Sequence, residues 1–276
     1  MPHVIRSKLC LIDGKRLHYL ESGLSSSPPL VLIHAWPACC HMYLPLIKKL
    51  SKKFHLYAPD LPGFGSSDPV THYGYDSSVN TLSQFLNSQQ LSRVYLCGVS
   101  LGAAVSLKFT HKYPHQVIKL ILNSPPIYSL KYQSRSRLIR SLISRFPQLP
   151  IALINFSLKH DLVLSFYHYL PRYRQIDKKL INRIYHRASR NLPDAIIQTL
   201  YEILNQDLRP LVPQVKPATL LLLGDHDYPE LLTDAEFLKQ NLPALKFISL
   251  PDSNHTLSVS RHGIELFAQN IIEFLS

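Results

Sequence analysis

The sequence has few cysteines and no apolar run long enough to serve as a secretory signal. Its four cysteines, Cys10, Cys39, Cys40 and Cys97, form no CxxC pair and no Cys/His spacing typical of zinc sites. This excludes a disulfide scaffold or a zinc finger as the basis of the fold. Residues 1–15 lack the apolar core that a secretory signal needs, so we expect reduced thiols and a cytoplasmic location.

Long uncharged apolar segments are also missing. The longest candidate, residues 146–158, is interrupted by two prolines and is shorter than the roughly 18 residues of a membrane-spanning helix. Charged residues make up only 17% of the 276, too few for a disordered chain, whereas 46% are hydrophobic. The composition therefore predicts one globular protein with a sizeable core.

Short apolar runs alternate with segments of helical spacing. Strands are predicted at residues 8–12, 16–20, 29–33, 55–58, 93–97, 118–122, 218–223 and 246–250, and helices at 42–53, 77–87, 101–113, 234–241 and 264–275. Wholly apolar runs such as 29–33 are typical of strands buried on both faces. The alternation predicts an α/β fold with a mostly parallel twisted sheet and helices on both faces.

The alternation stops after the sixth strand. Residues 127–212 contain no predicted buried strand and carry 14 Lys and Arg against 5 Asp and Glu, so most of the net charge of +12 lies there. We expect residues 1–126 and 213–276 to form the core and residues 127–212 to form a helical insertion.

One motif of the core carries a reactive residue type. Gly98-Val99-Ser100-Leu101-Gly102 is a G-x-S-x-G sequence between a predicted strand and a predicted helix. A sharp turn there would expose the serine, and the start of the helix favours developing negative charge. Ser100 is therefore a candidate nucleophile, and the alternative is a tight structural turn.

A serine nucleophile needs an imidazole to take its proton and a carboxylate to orient the imidazole. Asp225 and Asp227 follow the strand at 218–223, and His255 follows the strand at 246–250. Carboxyl ends of parallel strands meet at one edge of a sheet. The order Ser, Asp, His past successive strand ends is that of α/β-hydrolases.

The sequence resembles the α/β-hydrolases from about Arg16 to its end, specifically the group with a helical lid inserted after the sixth strand. The segment His34-Ala35-Trp36-Pro37 is similar to the family's His-Gly-x loop, and residues 60–67 resemble its D-x-P-G-x-G-x-S loop, a structural support. The resemblance implies Ser100 as nucleophile, His255 as general base and then acid, and Asp227 as the orienting acid. It also implies an oxyanion hole formed by the backbone N–H groups of Trp36 and Leu101.

Three residues depart from the family pattern: Ala35 stands for a glycine, Asn254 for a small residue before the histidine, and Ala103 for a further glycine. Ala35 puts one oxyanion donor in question. The acid also has an alternative, Asp225, although the resemblance to the family's motif favours Asp227. The loop at residues 123–124 offers no carboxylate and is excluded as a location for the acid.

Other reactive residue types have structural interpretations. His34 lies in an apolar run and is expected to be a hydrogen-bonded structural histidine. The pair His111 and His115 has a spacing that can bind metal on a helix, but no third ligand is evident. Cys97 is expected to be a buried hydrophobic residue and not a second nucleophile.

Ser100, His255 and Asp227 predict hydrolysis of a carboxylic ester with an apolar moiety through an acyl-enzyme. We expect the reaction to need no cofactor and no metal. A serine at position 100 argues against the family's haloalkane dehalogenase and epoxide hydrolase branches, which use a carboxylate nucleophile. The same triad could cleave a carbon–carbon bond, a thioester, an amide or a lipid ester, or transfer an acyl group. A non-catalytic small-molecule-binding homologue is a further alternative.

The insertion offers the main indications of specificity. Its aromatic residues favour an apolar or aromatic substrate or serve as packing: Tyr128, Tyr132, Phe146, Phe156, Phe166, Tyr167, Tyr169, Tyr173, Tyr185 and Tyr201. Its arginines could attract an anionic membrane or form solvated helix faces: Arg135, Arg137, Arg140, Arg145, Arg172, Arg174, Arg183, Arg187 and Arg190. No nucleic-acid-binding motif accompanies this charge, so nucleic acid is not an expected partner.

Overall fold

A computed structural model describes residues 4–128, 134–145, 184, 193–255 and 260–276. The strands are β1 (Arg6–Ile12), β2 (Lys15–Ser22), β3 (Pro29–Ile33), β4 (His55–Pro59), β5 (Val94–Val99), β6 (Val117–Asn123), β7 (Ala218–Gly224) and β8 (Leu245–Leu250). The predicted strands are all confirmed, with small differences at their ends.

The described α-helices are α1 (Leu44–Leu50), α2 (Tyr75–Ser88), α3 (Leu101–Lys112), α4 (Ser134–Arg145), α5 (Pro193–Asn205), α6 (Pro229–Asn241) and α7 (Arg261–Leu275). A short 3-10 helix, Cys40–Tyr43, precedes α1. Helix α6 begins at Pro229, earlier than predicted, because proline is well tolerated in the first turn of a helix.

The sheet has eight strands in the order β1-β2-β4-β3-β5-β6-β7-β8. Strand β2 pairs antiparallel with both β1 and β4, whereas the remaining neighbours from β4 to β8 are parallel. The carboxyl ends of six strands therefore lie at one edge of the sheet. The loops that carry Ser100, Asp227 and His255 all leave the sheet at this edge.

Alternating side chains of the strands pack into two cores, one on each face of the sheet. In β3, Leu30 and Leu32 lie in the core that contains side chains of α1 and α7. Val31 and Ile33 lie in the core that contains side chains of α2, α3 and α6. All four are fully buried, as expected for a strand covered by helices on both sides.

The predicted insertion follows β6 and is attached to the core at its two described ends. Asp234 of α6 accepts a 2.8 Å hydrogen bond from the backbone N–H of Ile127. The N–H of Leu208 donates to the carbonyl oxygen of the same Ile127, also at 2.8 Å. The boundaries at 127 and 212 stay a prediction, and most of the segment lies outside the described residues.

None of the helices in the described ranges has the length and apolar character needed to cross a membrane.

Candidate active site

Ser100 lies at the turn between β5 and α3 with a φ of 51°. Its backbone N–H donates to the carbonyl oxygen of Asn123 at the end of β6, at 2.8 Å. A Cβ atom at Gly98 would collide with the carbonyl oxygen of Gly102, and one at Gly102 would collide with that of Ile33. Both glycines are required by close backbone approach, and the turn holds a half-buried serine at the sheet edge.

The two predicted oxyanion donors follow β3 and β5. A Cβ atom at Gly102 would also come within 2.7 Å of the carbonyl oxygen of His34, so the start of α3 lies against the segment that contains Trp36. Within the described residues, the backbone N–H groups of Trp36 and Leu101 make no hydrogen bond. The N–H groups of a first helical turn have no partner inside the helix and can serve a bound anion.

Asp227 and His255 are in direct contact. Their Oδ1 and Nδ1 atoms are 3.1 Å apart, and the carboxylate is fully buried while a quarter of the imidazole is exposed. The N–H of Tyr228 donates to the same Oδ1 at 2.7 Å. This contact makes Nδ1 the donor toward the acid, which leaves Nε2 as the proton acceptor.

Asp225 has a different role from Asp227. Its carboxylate is partly exposed and accepts hydrogen bonds from the N–H groups of Asp252 and Ser253, at 3.1 and 3.0 Å. It therefore shapes the loop that leads to His255. Of the two candidate acids, Asp227 is the one in contact with the imidazole.

Ser124 is a residue of this site that the sequence interpretation missed. Its hydroxyl donates to Oδ2 of Asp227 at 2.6 Å, so both carboxylate oxygens of the acid are held. Ser124 follows β6, which is the neighbour of β7 in the sheet. The loop at 123–124 contains no carboxylate, but it supplies a hydroxyl to the acid.

His34 is a structural histidine, as expected. Its Nε2 accepts a hydrogen bond from the N–H of Leu61, and its Nδ1 donates to the carbonyl oxygen of Ala35, both at 3.0 Å. Complete burial lowers the pKa of His34 and keeps the imidazole neutral. Ala35 does not have a positive φ, so this loop accommodates a Cβ where the family has glycine.

Other predicted candidates lie apart from these residues. Helix α3 ends at Lys112, so His111 and His115 do not share one helix. Cys97 is fully buried in β5, and burial raises the pKa of its thiol, which disfavours the thiolate needed for nucleophilic attack. Cys97 thus fits its expected role as a hydrophobic residue.

Two aromatic residues of the predicted insertion, Tyr128 and Tyr201, lie within the described residues. Tyr128 packs against Phe237 and under the guanidinium of Arg209, 4.3 Å from its ring, which supports the packing alternative. Tyr201 is 44% exposed. The aromatic residues Tyr132, Phe146, Phe156, Phe166, Tyr167, Tyr169, Tyr173 and Tyr185 lie outside the described residues, as do Arg172, Arg174, Arg183, Arg187 and Arg190.

The described atoms thus supply a buried acid, an oriented imidazole and a serine at one sheet edge. The Ser100 hydroxyl makes no hydrogen bond to any described residue. Hydrogen bonds of this kind are often long without substrate and tighten when it binds. The arrangement is suited to proton transfer from a serine during attack on a carbonyl carbon.

Comparisons with known proteins agree with this architecture. Lipase 1 of Psychrobacter immobilis is 26% identical over 90% of this chain and 77% of its own length. An uncharacterized hydrolase of Saccharomyces cerevisiae is 27% identical over 44% of this chain, a match that spans only 42% of that relative. The crystal structure of the enol-lactonase from Burkholderia xenovorans LB400 has a TM-score of 0.81 at 18% identity, covering 97% of this chain and 99% of the lactonase.

At such identities a structural likeness establishes the fold alone. A family model, described as alpha/beta hydrolase fold, matches residues 28–261, which include every residue of the site described above. On this match the chain belongs to the α/β-hydrolase family.

Proposed function

We propose that this protein is a serine hydrolase that cleaves a carboxylic ester with an apolar moiety. The observation that carries the proposal is the buried Asp227–His255 contact at the same sheet edge as the strained turn of Ser100. A His–Asp pair alone is a common structural element. Its combination with a serine at the start of a helix, at the edge of the sheet where the parallel strands end, favours catalysis.

In the proposed mechanism, His255 takes the hydroxyl proton of Ser100 as the oxygen attacks the ester carbonyl. Asp227 stabilises the imidazolium that forms, and the N–H groups of Trp36 and Leu101 donate to the oxyanion. His255 then gives the proton to the leaving alcohol, and water hydrolyses the acyl-enzyme by the same steps. No cofactor or metal takes part in this reaction.

The experiment is hydrolysis of p-nitrophenyl esters of increasing acyl length, measured as burst and steady state. We expect turnover by the wild type and a loss of about 10⁴-fold or more in Ser100→Ala. Ser88→Ala is the matched control, because the Ser88 hydroxyl donates to the carbonyl oxygen of Phe85 and accepts from the side chain of Gln89, contacts that involve no residue of the proposed mechanism. Turnover that persists in Ser100→Ala would refute the proposal.

An active-site serine probe separates the alternatives. Labelling of the wild type but not of Ser100→Ala, together with product partition toward an added alcohol, would indicate an acyltransferase. Labelling without turnover of any ester would favour a narrower substrate, such as a carbon–carbon bond, thioester or amide. Absence of both labelling and turnover would favour a non-catalytic binding protein.

We further propose that residues 127–212 form a lid over the site and that α4 contacts an anionic membrane. Leu138 and Leu142, four residues apart on α4, are 65% and 45% exposed, and Arg137 beside them is exposed. The helix contains four arginines and no acidic residue. An exposed apolar pair flanked by cationic side chains complements an anionic lipid surface.

Co-sedimentation with phosphatidylcholine vesicles, with and without phosphatidylserine, tests this contact. We expect binding that requires the anionic lipid and falls about tenfold in Arg137→Glu, because each basic residue near such a surface contributes about 1 kcal/mol. Arg93→Glu, a charge reversal at an exposed arginine of the core, is the control. Binding that is indifferent to anionic lipid would overturn the membrane proposal and leave the hydrolase proposal intact.

A further inference from the structure

A second cluster of reactive side chains is buried away from the serine turn. His18 of β2, Cys40 of the 3-10 helix after β3, and Asp60 of the loop after β4 each offer a donor atom, and these atoms lie within 4.8 Å of one another. Cys40 and Asp60 are fully buried and His18 is 4% exposed. Three separate elements converge here, so the sequence spacing gave no indication of the cluster.

The distances between donors suit a tetrahedral metal ion. Zinc–nitrogen and zinc–sulfur bonds of about 2.0 and 2.3 Å place the nitrogen and the sulfur about 3.5 Å apart. The Cys40 Sγ lies 3.7 Å from Nδ1 of His18 and 3.4 Å from Nδ1 of His41. Nδ1 of His18 and Oδ2 of Asp60 are hydrogen-bonded and 2.7 Å apart. If both atoms bound the same metal ion, the distance between them would increase by less than an ångström.

Charge also favours a divalent cation. The Asp60 carboxylate lies 2.7 Å from Nδ1 of His18 and accepts hydrogen bonds from the N–H groups of Cys40 and Ser66, contacts that favour its ionised form. A thiolate from Cys40 would add a second negative charge. One thiolate, one carboxylate and one divalent cation together are neutral, which avoids the cost of net charge in the protein interior.

Outer partners of the ligands are already present. The Nε2 of His18 is 2.8 Å from the hydroxyl oxygen of Ser7, which can either donate or accept. The other carboxylate oxygen of Asp60 accepts a 2.7 Å hydrogen bond from the N–H of Cys40. Such contacts orient metal-binding imidazoles and carboxylates in known sites.

We propose that His18, Cys40 and Asp60 bind a thiophilic divalent cation such as Zn²⁺. The metal replaces the thiol proton of Cys40, which is released to solvent. The proton on Nδ1 of His18 moves to Nε2, and the Ser7 hydroxyl becomes its acceptor. Sulfur and imidazole donors select zinc and cadmium over magnesium or calcium. This inference does not depend on the proposed hydrolase activity.

The test uses the full chain freed of metal with a chelator. Titration with Zn²⁺ against a competing chromogenic chelator is expected to give one ion per chain, with calorimetry in buffers of different ionisation enthalpy showing release of about one proton. Cd²⁺ is expected to give the ultraviolet charge-transfer band of a cadmium–thiolate bond. No Zn²⁺ binding, or Cd²⁺ binding without that band, would overturn the proposal.

Variants locate the site. Cys40→Ser is expected to weaken Zn²⁺ binding at least 100-fold and to abolish the Cd²⁺ band. Cys10→Ser, at a half-buried cysteine of β1, and His255→Ala are the controls and should bind as the wild type does. Loss of binding in either control, or unchanged binding in a folded Cys40→Ser, would contradict the assignment.

Discussion

Among the described residues, the histidine–aspartate pairs His18–Asp60 and His255–Asp227 differ in what the second imidazole nitrogen can reach. The pair His18–Asp60 is the shorter, at 2.7 Å, and its histidine is almost completely buried with Nε2 against Ser7. The pair His255–Asp227 is 3.1 Å apart, and its histidine is a quarter exposed at the edge that carries the serine turn. A buried carboxylate orients the imidazole in both, so exposure of the second nitrogen distinguishes a candidate catalytic pair from a structural one.

The largest effects should come from exchanging the two histidines for glutamine. We expect His255→Gln to lower ester turnover by about 10⁴-fold or more with little change in thermal stability, because the proton acceptor is lost at an exposed site. His18→Gln should lower the free energy of unfolding by about 1.5–3 kcal/mol, since it removes the hydrogen bond from Nδ1 of His18 to the buried Asp60 carboxylate. Paired measurements of kcat and denaturant unfolding check this; equal effects of both variants on turnover would remove the distinction.

Substitutions of the two aspartates should have the next largest effects, one on turnover and the other on stability. Asp227→Asn is expected to reduce kcat about 10⁴-fold, as loss of the orienting acid does in a triad. Asp60→Asn should reduce stability by about 3 kcal/mol, because the amide NH₂ replaces one of the two carboxylate oxygens to which the N–H groups of Cys40 and Ser66 donate and leaves that N–H without an acceptor. Chemical denaturation and kcat at saturating ester, measured on the same preparations, compare the two variants.

The pH dependence of folding gives a smaller and independent effect. The pKa of Asp60 lies below its ordinary value of 3.8, so the unfolded chain takes up this proton at a higher pH than the folded chain. The stabilisation by Asp60 is therefore present above that ordinary value and is lost as the pH falls through the folded pKa. We expect the free energy of unfolding, measured from pH 5 down to pH 2, to fall less steeply with decreasing pH in Asp60→Asn than in the wild type. Parallel curves would show that the ionised carboxylate does not contribute.

Ser124 should have an intermediate effect on turnover. Ser124→Ala removes the 2.6 Å hydrogen bond to Oδ2 of Asp227, and hydrogen bonds to charged groups are worth about 1.5–3 kcal/mol. We expect kcat to fall about tenfold. A loss of stability with an unchanged kcat would assign Ser124 to packing only.

The smallest effect is expected at Ala35. Its backbone lacks a positive φ, so a return to the family's glycine relieves no strain. Ala35→Gly should change kcat/KM by less than about threefold, within the range that loop flexibility alone produces. A rise of a hundredfold would mean that the methyl group displaces an oxyanion donor.

The sequence predicted the strands and the parallel sheet, because wholly apolar runs are local features. The roles of Asp227 and His255 are implied by the resemblance to the α/β-hydrolases, and the structure brings the two side chains into contact. The sequence interpretation missed the hydroxyl of Ser124 on the acid and the contact of His18 with Asp60. Both contacts join residues brought together only by the order of strands in the sheet, β6 beside β7 and β2 beside β4. Sequence spacing carries no direct information on such neighbours.

Trp36 has a practical consequence beyond its proposed role at the oxyanion. It is the only tryptophan of the chain, and its indole N–H donates to the carbonyl oxygen of Ile196 in α5, at 3.0 Å. Indole fluorescence responds to the polarity and hydrogen bonding around the ring. The unmodified protein therefore contains a single optical reporter at the junction of α5 and the loop after β3, whose emission records whether that junction is closed or open.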